Sequence, residues 1–102
     1  MLRGVETSER DRMLALLEST HTFPCAFFLS VITLNRDDVR LALRVALEAR
    51  VEAPIPDDAW DTRTSSAGRY ASHRVTLPCR SAEHVLAIYA CARAVDGVVT
   101  VL

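Results

Sequence analysis

The sequence contains no lysine, and all 12 of its basic residues are arginine. A Walker loop needs a lysine at fixed spacing from its glycines, and this chain has only three glycines. Nucleotide hydrolysis at such a loop is therefore excluded. A basic excess is missing too, since the formal net charge is −1 and the isoelectric point is near 6.3. Nucleic-acid binders carry a basic surface, so we expect no nucleic-acid partner.

Cysteine is scarce and shows no pairing pattern. The three cysteines are far apart in the sequence: Cys25, Cys79 and Cys91. An odd number without a Cys-x-x-Cys pair argues against a disulfide framework and favours reduced thiols packed in a core. The histidines fall at no metal-ligand spacing from one another or from the cysteines: His21, His73 and His84. We expect no metal, no cofactor and no catalytic residue.

Long apolar runs are also absent. The longest uncharged runs, such as that across residues 20–35, are too short and too polar to cross a bilayer. Glu6 places an acid early and no apolar signal core follows it, so we expect a cytoplasmic protein with no secretory signal and no membrane partner. A length of 102 residues suits a single domain over residues 1–102. We divide it into an N-terminal helical extension, residues 1–20, and a core, residues 23–102.

The first and last helices are predicted from their capping residues. The first spans residues 7–19 with Thr7 or Ser8 as its N-cap. Its apolar residues predict a stripe that packs on another element: Met13, Leu14, Leu16 and Leu17. The last helix follows its N-cap Ser81 and ends at residues 96–97, where a glycine supplies a left-handed turn.

The second helix is predicted to begin at residues 35–38, with Asp38 in the reciprocal position of a capping box. Its apolar residues recur at helical spacing and predict a buried face: Val39, Ala42, Leu43, Ala46 and Leu47. Its charged residues lie opposite and are expected in water: Arg40, Arg44 and Glu48. Pro54 and Pro56 then end the helix and open a loop.

Four strands are predicted, at residues 25–34, 60–65, 70–79 and 98–102. The first is rich in aromatic and β-branched residues and predicts a central, largely buried strand. Ser66-Ala67-Gly68 forms the turn of a hairpin between the second and third. The order after the first helix is then βαββαβ. Right-handed crossovers favour an α+β domain of ferredoxin-like type, a four-stranded antiparallel sheet in the order 4-1-3-2 with two helices on one face.

The strand at residues 70–79 alternates between two faces. One face is apolar: Ala71, Val75 and Leu77, with His73 expected as a partly buried, hydrogen-bonded imidazole. The other face is polar and is expected to stay open: Tyr70, Ser72, Arg74 and Thr76. With the serine-glycine turn, it predicts a site for an acidic ligand or a docking partner: Arg63, Ser65, Ser66, Gly68, Arg69, Tyr70, Ser72 and Arg74. Serine and glycine also suit a tight turn by themselves, and both interpretations stay open.

Three known classes share this element order without matching its residues. RNA-recognition domains stack bases on two or three aromatic side chains, and only Tyr70 is available on the third strand. Copper chaperones carry a cysteine pair after the first strand, where residues 33–35 read Thr-Leu-Asn. Acylphosphatases need an arginine in a phosphate cradle at that point, and no glycine-rich sequence occurs there.

Four segments of the core carry a resemblance to a known family: residues 23–27 (FPCAF), 65–72 (SSAGRYAS), 88–89 (IY) and 98–102 (VVTVL). Together they resemble the YbeD-like family of small, uncharacterised bacterial proteins, and the Ser-Ser-x-Gly-x-Tyr-x-Ser hairpin is the most specific part. The resemblance spans residues 23–102. It implies a cytoplasmic protein with a fold similar to ACT regulatory domains, which bind amino acids at subunit interfaces. It implies no established activity.

Two functional hypotheses follow. The first is a non-catalytic regulatory or adaptor module, in which Tyr70 anchors a protein partner and the arginines attract its acidic groups: Arg63, Arg69 and Arg74. The second is an ACT-like sensor of a small acidic metabolite, an amino acid or organic acid, with a cradle made by Ser65, Ser66 and Gly68. Open sheet edges would also allow pairing into a homodimer.

Overall fold

A computed structural model describes residues 8–102. The protein is an α+β structure with three helices and a four-stranded antiparallel sheet. In chain order the elements are α1 (Glu9–Thr20), β1 (Cys25–Leu34), α2 (Asp37–Val51), a short 3-10 helix (Asp57–Ala59), β2 (Trp60–Thr64), β3 (Tyr70–Cys79), α3 (Ala82–Arg93) and β4 (Val98–Val101). The Phe23–Pro24 peptide bond between α1 and β1 is cis.

The sheet has the strand order β2-β3-β1-β4, which reads β4-β1-β3-β2 from the other edge. The central strands β1 and β3 pair along their whole lengths, from Cys25 opposite Cys79 to Leu34 opposite Tyr70. The edge strands are shorter, and β4 pairs with β1 through an irregularity between Ile32 and Thr33. The bounds predicted for β1 and β3 match the structure, while β2 ends one residue earlier and β4 ends at Val101.

Alternate residues of the central strands point into the core. The buried residues of β1 are Phe27, Leu29, Val31 and Thr33, and those of β3 are Ala71, His73, Val75, Leu77 and Cys79. Most of them form one hydrophobic cluster with buried residues of α2 and α3. The predicted apolar face of β3 is confirmed, and β1 is central as predicted. On the other side of β1, Ala26 and Phe28 are exposed while Ser30, Ile32 and Leu34 are half-buried, so its burial is complete on one side only.

The buried spine of α2 repeats every four residues: Val39, Leu43, Leu47 and Val51. Ala42 was predicted to share this face and is exposed instead. One residue is about 100° of rotation around a helix, so Ala42 lies beside the spine made by Leu43. The predicted face was therefore wider than the surface that the core covers.

The start of α2 differs from the predicted capping box. Arg36 is the N-cap and its side chain caps nothing. The carboxylate of Asp38 accepts two hydrogen bonds from Arg36, at 3.0 and 2.6 Å. This guanidinium holds the pKa of Asp38 below its usual value. The capping prediction is wrong because an arginine next to the acid offers it two charged donors, stronger than one backbone N–H.

The charged residues of α2 do not all face water as predicted. Arg44 donates to the carbonyl of Ile55 at 2.8 Å, and its guanidinium lies 4.8 Å above the Trp60 ring. Glu48 accepts from the backbone N–H of Ile55 at 2.8 Å. Ile55 is itself buried. The two charged side chains therefore fix the loop after α2 at both polar groups of one residue, and this loop leads directly into β2.

The N-terminal helix α1 contacts α3. Ser8 is its N-cap and accepts from the N–H of Asp11 at 3.1 Å; Thr7, the other predicted cap, lies outside the described residues. Leu17 packs against the core, whereas Leu16 is largely exposed and no residue of α1 is fully buried. The predicted four-residue stripe is thus wrong in part.

Candidate functional site

One side of the sheet is uncovered by residues 8–102. The residues of β1 that alternate with the buried ones pair with matching residues of β3: Phe28 opposite Thr76, Ser30 opposite Arg74, Ile32 opposite Ser72 and Leu34 opposite Tyr70. All of these are exposed or half-exposed. We call this side, with the neighbouring residues of β2, the open face. The predicted polar side of β3 lies on it.

Phe28 is the most exposed aromatic side chain of the open face. Its relative exposure is 77%, against 39% for Tyr70. Sequence reasoning missed Phe28 because the strand Cys25–Leu34 contains apolar residues on both sides. Only pairing with β3 shows that it lies on the same side as the predicted site.

Four polar residues of β2 and β3 surround a hollow of about 220 Å³: Asp61, Arg63, Ser72 and Arg74. Asp61 lies opposite Arg74 and Arg63 lies opposite Ser72. The structure therefore brings together three predicted site residues and adds Asp61, which the sequence analysis did not select. Its alternation with Arg63 along β2 was the available signal.

The charge in this hollow is unbalanced. The Arg63 Nε atom is 4.0 Å from the Asp61 carboxylate, at the limit of an ion pair. Arg74 forms no ion pair with any residue between 8 and 102. Two arginines and one aspartate therefore line the hollow, and this excess of positive charge favours an anion or an acidic side chain.

The serine-glycine hairpin uses its polar groups internally. The N–H of Tyr70 donates to the Ser65 hydroxyl at 3.1 Å, and the N–H of Gly68 donates to the Ser65 carbonyl at 2.9 Å. Gly68 has a φ of +77°, as predicted for this turn. Ser66 and Arg69 are exposed at the tip. The interpretation of Ser65 as a turn-forming residue is thus favoured over its interpretation as a ligand contact.

Asn35 attaches the hairpin to the junction of β1 and α2. Its side-chain amide donates to the carbonyl of Gly68 at 3.0 Å, and its backbone N–H donates to the carbonyl of Arg69 at 3.0 Å. Its carbonyl oxygen accepts from Arg40 at 3.1 Å. From the sequence Asn35 was predicted only as part of a helix start, because its hairpin partners, Gly68 and Arg69, are more than thirty residues away.

His73 lies on the buried side of β3, beneath the open face. It is completely buried, more than the predicted partial burial. Its Nε2 is 3.1 Å from the Thr33 hydroxyl and its Nδ1 is 2.9 Å from the Thr62 hydroxyl. The Trp60 indole N–H also approaches Nδ1, at 3.2 Å. The His73 ring, on β3, therefore links β1 and β2 on the buried side of the sheet, opposite the open face.

The hydrogen bonds fix the proton of this imidazole on Nε2. The Thr33 hydroxyl donates to the carbonyl of Leu34 at 2.9 Å, so its oxygen accepts from His73. An unprotonated Nδ1 then accepts from the Thr62 hydroxyl and from the Trp60 N–H, which also lies 3.1 Å from the Thr62 oxygen. A second proton on Nδ1 would face that donor. Burial lowers the pKa of His73, and the charge of Arg40 lowers it further.

No cysteine forms a hydrogen bond with a histidine in the part of the chain that the structure describes. All three cysteines are free, and Cys91 donates to the carbonyl of Ala46 at 3.2 Å, with no histidine as its partner. Among residues 8–102 no group of three histidine, cysteine or acidic side chains could hold a metal ion. No helix in the same range has both the length and the apolar character needed to cross a membrane.

Comparison with known sequences identifies a family. No curated protein matches the chain. The sequence model of one family matches residues 18–102, which include every residue of the open face and of the hairpin. The chain therefore belongs to the family described as "Protein of unknown function (DUF493)".

Proposed function

We propose that this protein is a non-catalytic regulatory or adaptor module that docks an acidic partner protein on its open face and serine-glycine hairpin. The observation that supports this most is Phe28, whose side chain is 77% exposed in a central strand. Aromatic side chains each bury about 150–250 Å² and dominate the energetics of many interfaces. A partner that covers Phe28 and Tyr70 gains free energy by removing both rings from water.

The charges around these rings define the chemistry of the partner. Arg63 and Arg74 line the hollow with a single acid, Asp61, and Arg69 is exposed at the hairpin tip. Neither Arg69 nor Arg74 has an ion pair within residues 8–102. Complementary charge guides association and sets orientation more than it adds affinity. We therefore propose a partner surface with an apolar centre and carboxylates at its rim.

The size of the open face suits a transient contact. Four strands are about 19 Å wide and a ten-residue strand is about 33 Å long, so the face measures at most about 600 Å². A stable interface buries about 800 Å² per partner. The hairpin tip, with Ser66 and Arg69, supplies part of the difference. Such an area is typical of regulatory encounters.

We also propose that the domain is ferredoxin-like, with α2 and α3 on one face of the sheet. We propose further that its family is the YbeD-like group and that the protein acts in the cytoplasm. The strand order and the single hydrophobic cluster shared by both helices support the fold. The segments that resemble the YbeD-like family lie inside the matched residues 18–102.

The alternative is an ACT-like sensor of an amino acid or organic acid. The hollow between Arg63 and Arg74 favours it, because two guanidinium groups and the Ser72 hydroxyl suit a carboxylate. Two observations place it second. The hollow, about 220 Å³, is smaller than ligand pockets of about 300–1,000 Å³, and the Ser65 hydroxyl is used within the turn.

Four variants separate docking from a general loss of structure. Phe28→Ser and Arg74→Glu change the open face. Leu41→Ser and Arg50→Glu are matched controls on exposed positions of α2. Proteins retained from lysate by the wild type are first compared across all four variants, and an acidic candidate is then purified and titrated against each. We expect both open-face changes to weaken binding by about tenfold or more, as for an interface anchor, with the controls unchanged.

Three outcomes count against docking on this face. A candidate that binds all variants equally uses another surface. A second copy of the chain, detected as a dimer in sedimentation and lost with Phe28→Ser, makes the open face a self-association surface. If amino acids or organic acids raise the melting temperature and Arg74→Gln abolishes the shift, the sensor is favoured; a ligand at a hundredfold excess over Kd stabilises by about 2.7 kcal/mol.

A further inference from the structure

Cys25 and Cys79 face each other across the last rung of the central strand pair. Cys25 is the first residue of β1, Cys79 is the last of β3, and the two are direct partners in the register. Their side chains lie on the same, buried side of the sheet. Cys79 is 1% exposed, whereas Cys25 is half-buried. From the sequence the two were predicted as separate packing thiols, since they are far apart along the chain and no spacing rule links them.

Both cysteines line a hollow of about 570 Å³ at this end of the sheet. Its wall is mainly apolar and includes Pro24, Pro54, Pro56 and Pro78. Arg80 also lines the hollow, and its guanidinium lies 3.7 Å from the Glu52 carboxylate. Because Cys25 is only half-buried and lines the hollow, a small reagent can approach it here without unfolding of the sheet.

The distance between the strands allows a bond between these sulfurs. The Leu102 N–H donates to the Ser30 carbonyl, so the backbone groups of Ser30 point towards β4. Successive residues of a strand direct their backbone groups to opposite neighbours, and the backbone N–H and carbonyl of Cys25 therefore point towards β3. Directly opposite residues in such a pair have Cα atoms about 5.5 Å apart. Disulfides span about 4.4–6.8 Å between Cα atoms. Their Cβ atoms must approach slightly, and both residues are at strand ends where the backbone can adjust.

We propose that Cys25 and Cys79 form a reversible intramolecular disulfide when the protein meets a low-molecular-weight disulfide such as oxidised glutathione. The pair is a modification site at the hollow, separate from the open face. Cys91 takes no part, since its sulfur is held on α3 by the carbonyl of Ala46.

The reaction proceeds in two exchanges. The Cys25 thiolate attacks one sulfur of oxidised glutathione, which forms a mixed disulfide and releases one glutathione thiolate. The Cys79 thiolate then attacks the Cys25 sulfur, which forms the intramolecular bond and releases the second glutathione. The protein loses two electrons and two protons, and one molecule of oxidised glutathione becomes two thiols.

The order of these steps follows from exposure. Burial raises the pKa of the Cys79 thiol to about 11, and the nearby Cys25 contributes. Thiolate is the reactive form, so Cys79 reacts slowly with external reagents. It reacts instead with the neighbouring sulfur of Cys25. A disulfide that requires the strand ends to close is strained, and strained disulfides are readily reduced.

The test uses the folded chain of residues 1–102 and oxidised glutathione, with intact mass and non-reducing peptide maps as readouts. In Cys91→Ser we expect the loss of two hydrogens and a linked peptide pair containing Cys25 and Cys79, both reversed by dithiothreitol. In Cys79→Ser/Cys91→Ser we expect one glutathionyl group that stays on Cys25. In Cys25→Ser/Cys91→Ser we expect no reaction, because Cys79 is buried.

A stable glutathionyl group on Cys25 in the chain that retains Cys79 overturns the proposal, and so do two free thiols after prolonged exposure. Serine at the buried position 79 could unfold the domain, so Cys79→Ala provides a second variant and circular dichroism checks the fold. The peptide map of the wild-type chain needs no variant: a disulfide that includes Cys91 instead also contradicts the assignment.

Discussion

The Nε2 atom of His73 lies 3.1 Å from the hydroxyl oxygen of Thr33, and both side chains are completely buried between the sheet and the helices. Thr33 is on β1 and His73 on β3, so this bond crosses the centre of the sheet beneath the open face. It gives the domain a polar group that must stay neutral to stay buried.

Stability should therefore decrease in mild acid. The pKa of His73 is lowered from 6.5 in the folded state, so the unfolded chain binds more protons below that pH. The free energy of unfolding is fully retained above about 6.5 and falls as the pH drops towards the folded pKa, with a slope of up to about 1.4 kcal/mol per pH unit. Urea unfolding at several pH values measures it.

The matched variant for this prediction is His73→Gln, which keeps hydrogen-bonding groups and cannot titrate. Its slope between pH 7 and 5 should be smaller than that of the wild type by the contribution of one proton. If the slopes coincide, the titration of His73 does not control acid stability. A ring-proton NMR titration of the wild type gives the same answer without a variant, since His73 should stay neutral below 6.5.

Removing the partner of this imidazole should be costly. Thr33→Val keeps the shape of the side chain but leaves the His73 Nε2–H without an acceptor, and a buried unsatisfied donor costs about 1–3 kcal/mol. Thr100→Val, at a half-exposed position of β4, serves as the control and should change stability by less than about 0.5 kcal/mol. Equal effects in chemical denaturation would contradict the proton assignment.

Two glycines with positive φ should respond differently to alanine. A Cβ at Gly97 would lie 2.5 Å from Val39 of α2, whereas nothing lies within 4 Å of a Cβ at Gly68. Gly68→Ala should cost about 1–2 kcal/mol from backbone conformation alone. Gly97→Ala should add about 1–3 kcal/mol of overpacking. Combining it with Val39→Ala should recover part of that addition; a fully additive double variant would show that the contact is not the cause.

The hairpin should loosen when its anchor is removed. Asn35→Ala deletes the bond to the Gly68 carbonyl, a loss of about 0.5–1.5 kcal/mol. Hydrogen exchange of the amides at residues 65–70 should become faster, while the centre of β3 keeps its protection. Ser66→Ala, at the exposed tip, is the control. Unchanged exchange in Asn35→Ala would mean that the hairpin is held by its strands alone.

The strand β3 is predicted well from the sequence because its apolar and polar residues alternate with a period of two. The bounds of β3 and the polar side of Tyr70–Cys79 follow from that pattern, whereas the bounds of β1 follow from a continuous run rich in aromatic and β-branched residues. The gathering of Arg63 and Arg74 around one hollow needs in addition the register of the hairpin, which its short turn fixes. These parts of the candidate site depend on local sequence.

The features that the sequence does not predict depend on contacts between segments that are distant along the chain. Asn35 has the local pattern of a helix cap, but the carbonyl of Gly68 provides it with a better partner. Arg44 has the pattern of a solvated helix residue until the loop around Ile55 folds over it. The pairing of Cys25 with Cys79 appears only once the two strands are aligned. No periodicity within one element contains this information.

The most direct test of docking on the open face is site-specific photo-cross-linking. A benzoylphenylalanine in place of Phe28 keeps an aromatic ring at the centre of the face, and the same group at Leu41, 63% exposed on α2, is the control. We predict a discrete cross-linked acidic protein at position 28 that is absent at position 41 and is lost when Arg74→Glu is added. The same products at both positions, or products that survive Arg74→Glu, would contradict the account.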